Sequence, residues 1–387
     1  MRRAYTFRLW TNANQERELE IALESHRRLY NACLDQRKRA WEEDRRSVSY
    51  PDQSAWFKAE RAVNPYFARL NYSSAQATMR RLDLAYRAFF RRVKAGETPG
   101  YPRLKARDRF ESVTFPSHGD GIRLSGNRLR VQHVGVIRVC LHRETEGAIK
   151  TLTLRREAGK WYVVVSCDLG ERVIPPSANP PVGVDLGLEA FLTTSEGERV
   201  ENPRVLKAAL PALRRLGRAH ARKKRGGQNR RRAQQKLARA HARVRNLRRE
   251  HHLKVARSMT HRYGLIAVER LTVRNMVKNR RLSRAISDAG WSGFVSTLRC
   301  KAEDAGAVVV EVDPAYTSQT CPACGTVQAK TLAERRHACA CGLTLHRDEA
   351  AARVILARGL QARTGPAGRN VDVSLHAPRS RRLQPAE

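Results

Sequence analysis

No stretch of the 387-residue chain approaches the ~20 consecutive apolar residues that span a bilayer, so no membrane partner is expected. The opening MRRAYTFRLWTNAN has neither the apolar h-region nor the small-residue cleavage site of a secretory leader, which points to the cytoplasm. Acid is scarce. The 37 Asp and Glu face 75 Lys and Arg, a formal net charge of +38. A compact body so charged repels itself unless a polyanion neutralises it, and nucleic acid is the obvious neutraliser. Aromatics are also few, at 6%, but a hydrophobic fraction of 41% suffices for two or three cores and excludes wholesale disorder.

Cysteine is limited to eight residues, and four of them fall between Cys321 and Cys341. In a reducing compartment such clustering points to metal and not to disulfides. The pattern is Cys321-Pro-Ala-Cys324-Gly, then Cys339-Ala-Cys341-Gly. Four thiolates suit one tetrahedral Zn²⁺, and an all-sulfur shell with no open position signals a structural role. The second pair has one intervening residue in place of two, which makes His337 a reserve fourth ligand, although its plainer reading is a solvated residue of the basic run ERRH. Cys33, Cys140, Cys167 and Cys300 read as small buried thiols.

Along the chain, AYTFRLW (residues 4–10) alternates as a strand does. Two helical stripes follow, one from Asn14 to about Arg39 through Leu19, Leu23, His26, Leu29, Tyr30 and Cys33, the other from Ala75 through Leu82, Tyr86, Phe89 and Phe90. Short alternating runs between Ser112 and Leu169, punctuated by turns, suit a small antiparallel barrel that the first strand completes. The expected organisation is multidomain α+β: a small antiparallel β-barrel from 1–10 and 96–174, a helical insert at 11–95, and a ribonuclease H-like α/β core from 182–314 and 343–362. Inserted in that core are basic helices at 207–262 and the four-cysteine zinc segment at 315–342. Residues 363–387 have little to bury and are expected to be disordered.

Two apolar runs end in acid. VGVDLG carries Asp185, LIAVERL carries Glu269, and Asp348 opens the helical segment EAAARVIL. Each alone has a bland reading: a turn residue, a surface ion pair with Arg270, a helix N-terminal acid. Together they are stronger, because Asp185 and Glu269 close runs too apolar to host an exposed charge by accident. Three carboxylates suit two Mg²⁺ ions, hard cations that can activate a water and stabilise the leaving oxygen of a phosphodiester. Asp313 competes as an acidic ligand, but Pro314 favours a turn there.

From Lys207 to Arg262 there are twenty Lys or Arg and one acid, Glu250, broken near Gly226-Gly227, which predicts two long basic helices. Without acids to pair internally, these cations call for phosphate. Trp41, Trp56, Tyr72, Tyr86 and Phe89 could stack on bases, but their helical spacing favours core.

The runs GVDLG, IAVERLTVRNMVKNRRLSRAISDAGWSGF, VDPAYTSQTCPACG and HRDEAAARVIL together resemble the TnpB (OrfB-like) family of transposon-encoded nucleases, relatives of the type V CRISPR effectors. The likeness is strongest over residues 182–358, and GYPRLKARDRF looks like the family's G-x-P-R-x-K element. It implies a RuvC-type domain holding Mg²⁺ at Asp185, Glu269 and Asp348, a zinc ribbon, and a wedge-like barrel with a helical recognition insert. It also implies an omega guide RNA from the transposon end that directs cleavage of double-stranded DNA beside a short adjacent motif. Base pairing would then read the sequence while protein reads the duplex. The closing motif departs from the family's D-R-D-x-N-A-A at His346 and Ala350. Two other functions are compatible with the same residues: a strand-joining transposase, and an RNA-guided regulator that binds without cutting.

Overall fold

The structure, a computed structural model, describes residues 1–331 and 334–364. The expected disordered tail lies outside these residues except at its first two positions, which are helical. The chain divides into two compact units, Met1–Arg172 and the remainder from Val173. Among the described residues no helix is long and apolar enough to cross a membrane.

In the first unit, β1 (Arg2–Trp10) is followed by α1 (Ala13–Asp44), α2 (Tyr50–Val63), α3 (Pro65–Ala68) and α4 (Tyr72–Lys94), and then by β2 (Ser112–Phe115), β3 (Ile122–Ser125), β4 (Arg128–Val131), β5 (Gly135–Cys140), β6 (Ala148–Glu157) and β7 (Lys160–Asp168). The strands form one antiparallel sheet of order β2-β6-β7-β1-β5-β4-β3, in which the first strand does pair with the later ones, between β7 and β5. Strand alternation buries Tyr5, Phe7 and Leu9 on one face, and helix residues Leu19, Leu29, Met79 and Leu82 join them in one core. Helix α1 starts where Asn12 and Gln15 form a capping box, and α2 starts at a second one, Ser49 with Asp52.

Some expectations about single residues fail. Trp41 and Tyr72 are exposed, not core: the buried stripe of α1 passes through Ala40, and Trp41 is turned about 100° away from it. Cys33 and Cys167 are buried as expected, but Cys140 and Cys300 are exposed, each on the outward side of its element.

His26 belongs to the buried stripe, with Nδ1 2.9 Å from Thr78 Oγ1 and Nε2 3.3 Å from Ser74 Oγ. Burial holds its pKa down to about 3. As pH falls from the unfolded value near 6.5 towards 3, the unfolded chain takes up a proton that the folded one refuses, so stability is lost on acidification by up to about 1.4 kcal/mol per pH unit. Between pH 6.5 and 4 the wild type should lose about 3 kcal/mol more than His26→Gln, which keeps both hydroxyl partners and does not titrate. Denaturation followed by tryptophan fluorescence reads mainly this unit, since four of the five tryptophans (Trp10, Trp41, Trp56 and Trp161) lie in it. Parallel pH curves for the two proteins would contradict the assignment.

The second unit contains β8 (Pro181–Leu186), β9 (Ala190–Thr194), β10 (Arg199–Glu201), α5 (Val205–Ala221), α6 (Gln228–Arg262), β11 (Leu265–Glu269), α7 (Val273–Met276), α8 (Ser283–Ala289), α9 (Trp291–Ala305), β12 (Val308–Val312), β13 (Arg336–Ala338), β14 (Thr344–His346) and α10 (Arg347–Thr364). Gly290, in the left-handed region, separates α8 from α9. The sheet order is β10-β9-β8-β11-β12, with β8, β9 and β10 an antiparallel meander and β11 and β12 parallel to β8. Helices cover both faces. Val182, Val184, Leu186, Ile266 and Val268 pack with Val255 and Met259 of α6 and Phe294 and Leu298 of α9, whereas Leu265, Ala267 and Val310 pack with Ile355 of α10.

Candidate functional site

The two-residue period of strands decides where the acids point. In β8, Val182, Val184 and Leu186 face α6 and α9, so Gly183 and Asp185 face α10; in β11, Ile266 and Val268 face α6 and α9, so Leu265, Ala267 and Glu269 face α10. The parallel register pairs Gly183 with Ala267 and Val184 with Val268, so the next step sets Asp185 beside Glu269 on neighbouring strands, roughly 4.8 Å apart. Both lie at the C-terminal ends of parallel strands, where α/β sheets place their ligands. Asp348 stands in the first turn of α10 over the same strands.

Contact between α10 and the sheet is closer than side chains normally allow. A Cβ on Gly183 would lie 2.0 Å from the Ala352 carbonyl oxygen and 2.7 Å from the Leu356 nitrogen, and one on Gly359 would lie 2.5 Å from the Ala267 Cβ. The helix thus rests backbone to backbone on β8. Gly183→Ala must push α10 off the strand, and an overpacking cost of about 1–3 kcal/mol is expected. Thermal melting of the full chain reads it; an unchanged melting temperature would refute the close approach.

The electrostatics record the convergence. Burial raises the pKa of Asp185 well above the usual carboxylate range, and the negative charges of Glu269 and Asp348 push it further, with Arg347 opposing. Burial also raises Glu269, against the hydroxyl of Thr317 and the charge of Arg358. Thr317, itself buried, donates to Glu269 Oε1 in a short hydrogen bond. The adjacent Ser318 accepts from Arg347 at 3.2 Å, so two consecutive residues tie down the neighbourhoods of two of the acids. Arg358 Nη1 holds the loop before them, donating to the carbonyls of Asp313 and Ala315 at 2.8 and 2.7 Å. Asp313 caps a turn, accepting from the Ala315 amide at 2.9 Å, as its Pro314 neighbour led one to expect. Arg199 Nη2 lies 4.0 Å from Asp348 and 3.1 Å from Glu189. An open cavity of about 210 Å³, lined by Glu269, Leu186, Trp291, Val295 and Arg299 among others, adjoins Glu269.

Three hard oxygen donors, two of which push the pKa of the third upward, suit magnesium, whose charge would relieve that repulsion. The three carboxylates do not fall within the 4.8 Å span of a single-ion cluster. A pair of ions about 3.5–4 Å apart calls for a wider shell.

The four cysteines meet. Their sulfurs all lie within 4.8 Å of one another, with Cys321 to Cys341 at 3.7 Å and Cys324 to Cys339 at 3.5 Å. Bonds of 2.3 Å at tetrahedral angles would put sulfurs about 3.8 Å apart, so the donor set fits zinc. The Thr326 hydroxyl holds the Cys324 thiol down to about 6, towards the thiolate a metal needs. The group forms without His337. That residue is fully buried on β13, with Lys330 Nζ close to Nδ1 and no partner for Nε2, so the solvated reading of it is overturned; β13 pairs with β14 and turns the ring inwards.

Sequence reading missed Thr317, Arg347 and Gly183 as parts of this site. Thr317 and Ser318 stand in plain view ahead of Cys321, but only a fold that returns this segment to β11 gives them meaning.

Family models match three segments: one described as "Probable transposase" at residues 164–280, one as "Cas12f1-like, TNB domain" at 291–355, and one as "Helix-turn-helix domain" at 1–46. The last description does not suit the first unit, where these residues are one strand and one 32-residue helix. A Streptomyces pristinaespiralis protein named "Putative RNA-guided DNA endonuclease" is 32% identical over 94% of this chain and 90% of its own length. A protein of Escherichia coli K12 named "Putative RNA-guided DNA endonuclease InsQ" is 28% identical over 92% of both. The "CRISPR-associated endodeoxyribonuclease Cas12f1" of Sulfoacidibacillus thermotolerans is 26% identical over 74% of this chain and 77% of its own. Kinship over nearly the whole length of both proteins leaves one conclusion: the chain belongs to the OrfB (IS605-type), or TnpB, family of transposon-associated proteins.

Proposed function

We propose that the chain is a transposon's RNA-guided DNA endonuclease, which cuts double-stranded DNA beside a short adjacent motif by two-metal phosphodiester hydrolysis at Asp185, Glu269 and Asp348. The observation that carries this is the register placing Asp185 beside Glu269 under the first turn of α10. The strand order supports a ribonuclease H-like, RuvC-type core, since the meander plus two parallel strands reads 3-2-1-4-5 counted within the unit. In the first unit, the seven-stranded sheet that takes in the N-terminal strand supports a wedge-like barrel with a helical insert. The Cys321, Cys324, Cys339 and Cys341 group supports a structural zinc in a ribbon with β13 and β14.

Magnesium bound at the acids would supply an activated water and stabilise the leaving oxygen. The chain's own residues do the positioning. Asp185 and Glu269 present oxygens from rigid strand ends, Thr317 fixes one Glu269 oxygen and so aims the other, and Arg347 holds the start of α10 through Ser318. Guide RNA pairs with target DNA and reads its sequence, while the cations of α5 and α6 hold phosphate.

The test is to purify the protein with the RNA of its own locus, sequence that RNA, and offer plasmid carrying the matching target with Mg²⁺. Double-strand breaks that vanish on ribonuclease pretreatment support the reading. Joined strands made without RNA would show a transposase instead.

A further inference from the structure

The outward face of the first unit's sheet carries charge that the fold does not answer. Alternation that buries Phe7, Leu9, Leu129, Val131, Ile137 and Val139 turns Arg8, Trp10, Arg123, Arg128, Arg130 and Arg138 the other way. The register sets Arg128 directly opposite Arg138, Arg123 opposite Arg130, and Trp10 opposite Arg138. Like charges directly opposite across strands destabilise a sheet. Among the described residues none of these five arginine side chains makes an ion pair or hydrogen bond, and the Arg8 Nε is buried with no partner. The Arg8 guanidinium lies over the Trp10 ring at 4.1 Å from its centre, and that ring is 50% exposed. A fold that tolerates two opposed arginine pairs around an exposed tryptophan gains from a ligand that neutralises the first and covers the second.

We propose that this face binds a single-stranded stretch of polynucleotide, its phosphates on the arginine grid and one base stacked on Trp10. The grid has a step of roughly 6.7 Å along β4 and roughly 4.8 Å between strands, so it can follow a flexible backbone. Stacking requires an unpaired base, since a duplex keeps its base faces inside, and aromatic platforms flanked by cations are how single strands are held. The inference rests on the nucleic-acid reading above and adds where a single strand lies.

The experiment uses the full chain carrying Asp185→Ala, so that no probe is cut. Probes are fluorescent oligouridine RNA, oligothymidine DNA of equal length, and a mixed-sequence DNA duplex of that length. Replacing Arg123, Arg128, Arg130 and Arg138 with Gln should weaken single-strand binding tenfold or more at physiological salt and reduce the salt slope by about 3, near 0.7 per lost contact. The same variant without probe should melt no lower than its parent, because the opposed charges are gone. Trp10→Ala leaves the charge unchanged and should weaken binding about fivefold or more. Photo-crosslinks from 4-thiouridine RNA should map to the peptide holding Trp10. Preference for RNA over DNA would identify the strand as guide, and equal affinity would identify a site that reads the backbone of either. Wild-type affinity and slope in the arginine variant, no loss in Trp10→Ala, or stronger binding of the duplex than of both single strands would overturn the proposal. Cleavage is assayed separately with Asp185 intact, so a failed nuclease reading and a failed binding face are told apart.

Discussion

Asp185→Asn is expected to abolish cleavage and, at the same time, to make the metal-free protein more stable. The first effect should be a fall on the order of 10²–10³-fold or more, the loss seen when one charge-stabilising group leaves a preorganised site. The second follows from the raised pKa. A carboxyl that holds its proton more firmly when folded than when unfolded makes the folded state the better proton binder, so stability falls as pH rises from the unfolded value near 3.9 through the folded one. At neutral pH the buried charge is a cost of about 1.4 kcal/mol for each unit by which the pKa is raised, and the amide removes it. Melting curves with and without Mg²⁺ should therefore cross over: metal raises the melting temperature of the wild type and leaves Asp185→Asn nearly unmoved. A variant that melts lower without metal and still responds to Mg²⁺ would show that Asp185 faces neither the other acids nor the ion.

The second large effect is expected at the thiols. Cys321 is buried and shares its group with Cys324, Cys339 and Cys341. Cys321→Ser should drop bound zinc from about one per chain to near zero by elemental analysis, with structural zinc contributing on the order of 10 kcal/mol to the fold of its module. The consequence should reach the acids, because Thr317 and Ser318 stand just ahead of Cys321 and hold Glu269 and Arg347. Cleavage is expected to fall about 10²-fold, as when a reacting group is misplaced by about 1 Å. Melting of the first unit, read by its tryptophans, should not change. Full cleavage by zinc-free protein would show that the knuckle does not steady the site.

Much of this arrangement was legible before any coordinates. Apolar runs that end in acid drew attention to Asp185 and Glu269, and the parallel register sets the ends of those two strands side by side. The cysteine spacing announced a four-thiol group, and Gly226-Gly227 marked the connection between α5 and α6. What could not be read was whatever depends on pairing distant segments. His337 sits in a basic run yet is buried, because burial there is set by β14 and not by its neighbours in sequence. Helix α2 went unseen although Ser49 and Asp52 spelled its capping box, since its buried positions, Gln53 and Phe57, are too few to make a stripe. Opposed arginines on β3, β4 and β5 exist only through register, which no single strand reveals.

The bare contact at Gly183 has one more consequence. Where helix and strand touch through side chains, small movements are absorbed by rotamer changes. Here the Ala352 carbonyl meets β8 with no cushion between them, and about two turns further on Gly359 sits just as bare against Ala267 of β11, so α10 is pinned to the sheet at two points and Asp348, about one turn from the first, is held as firmly as the strands themselves.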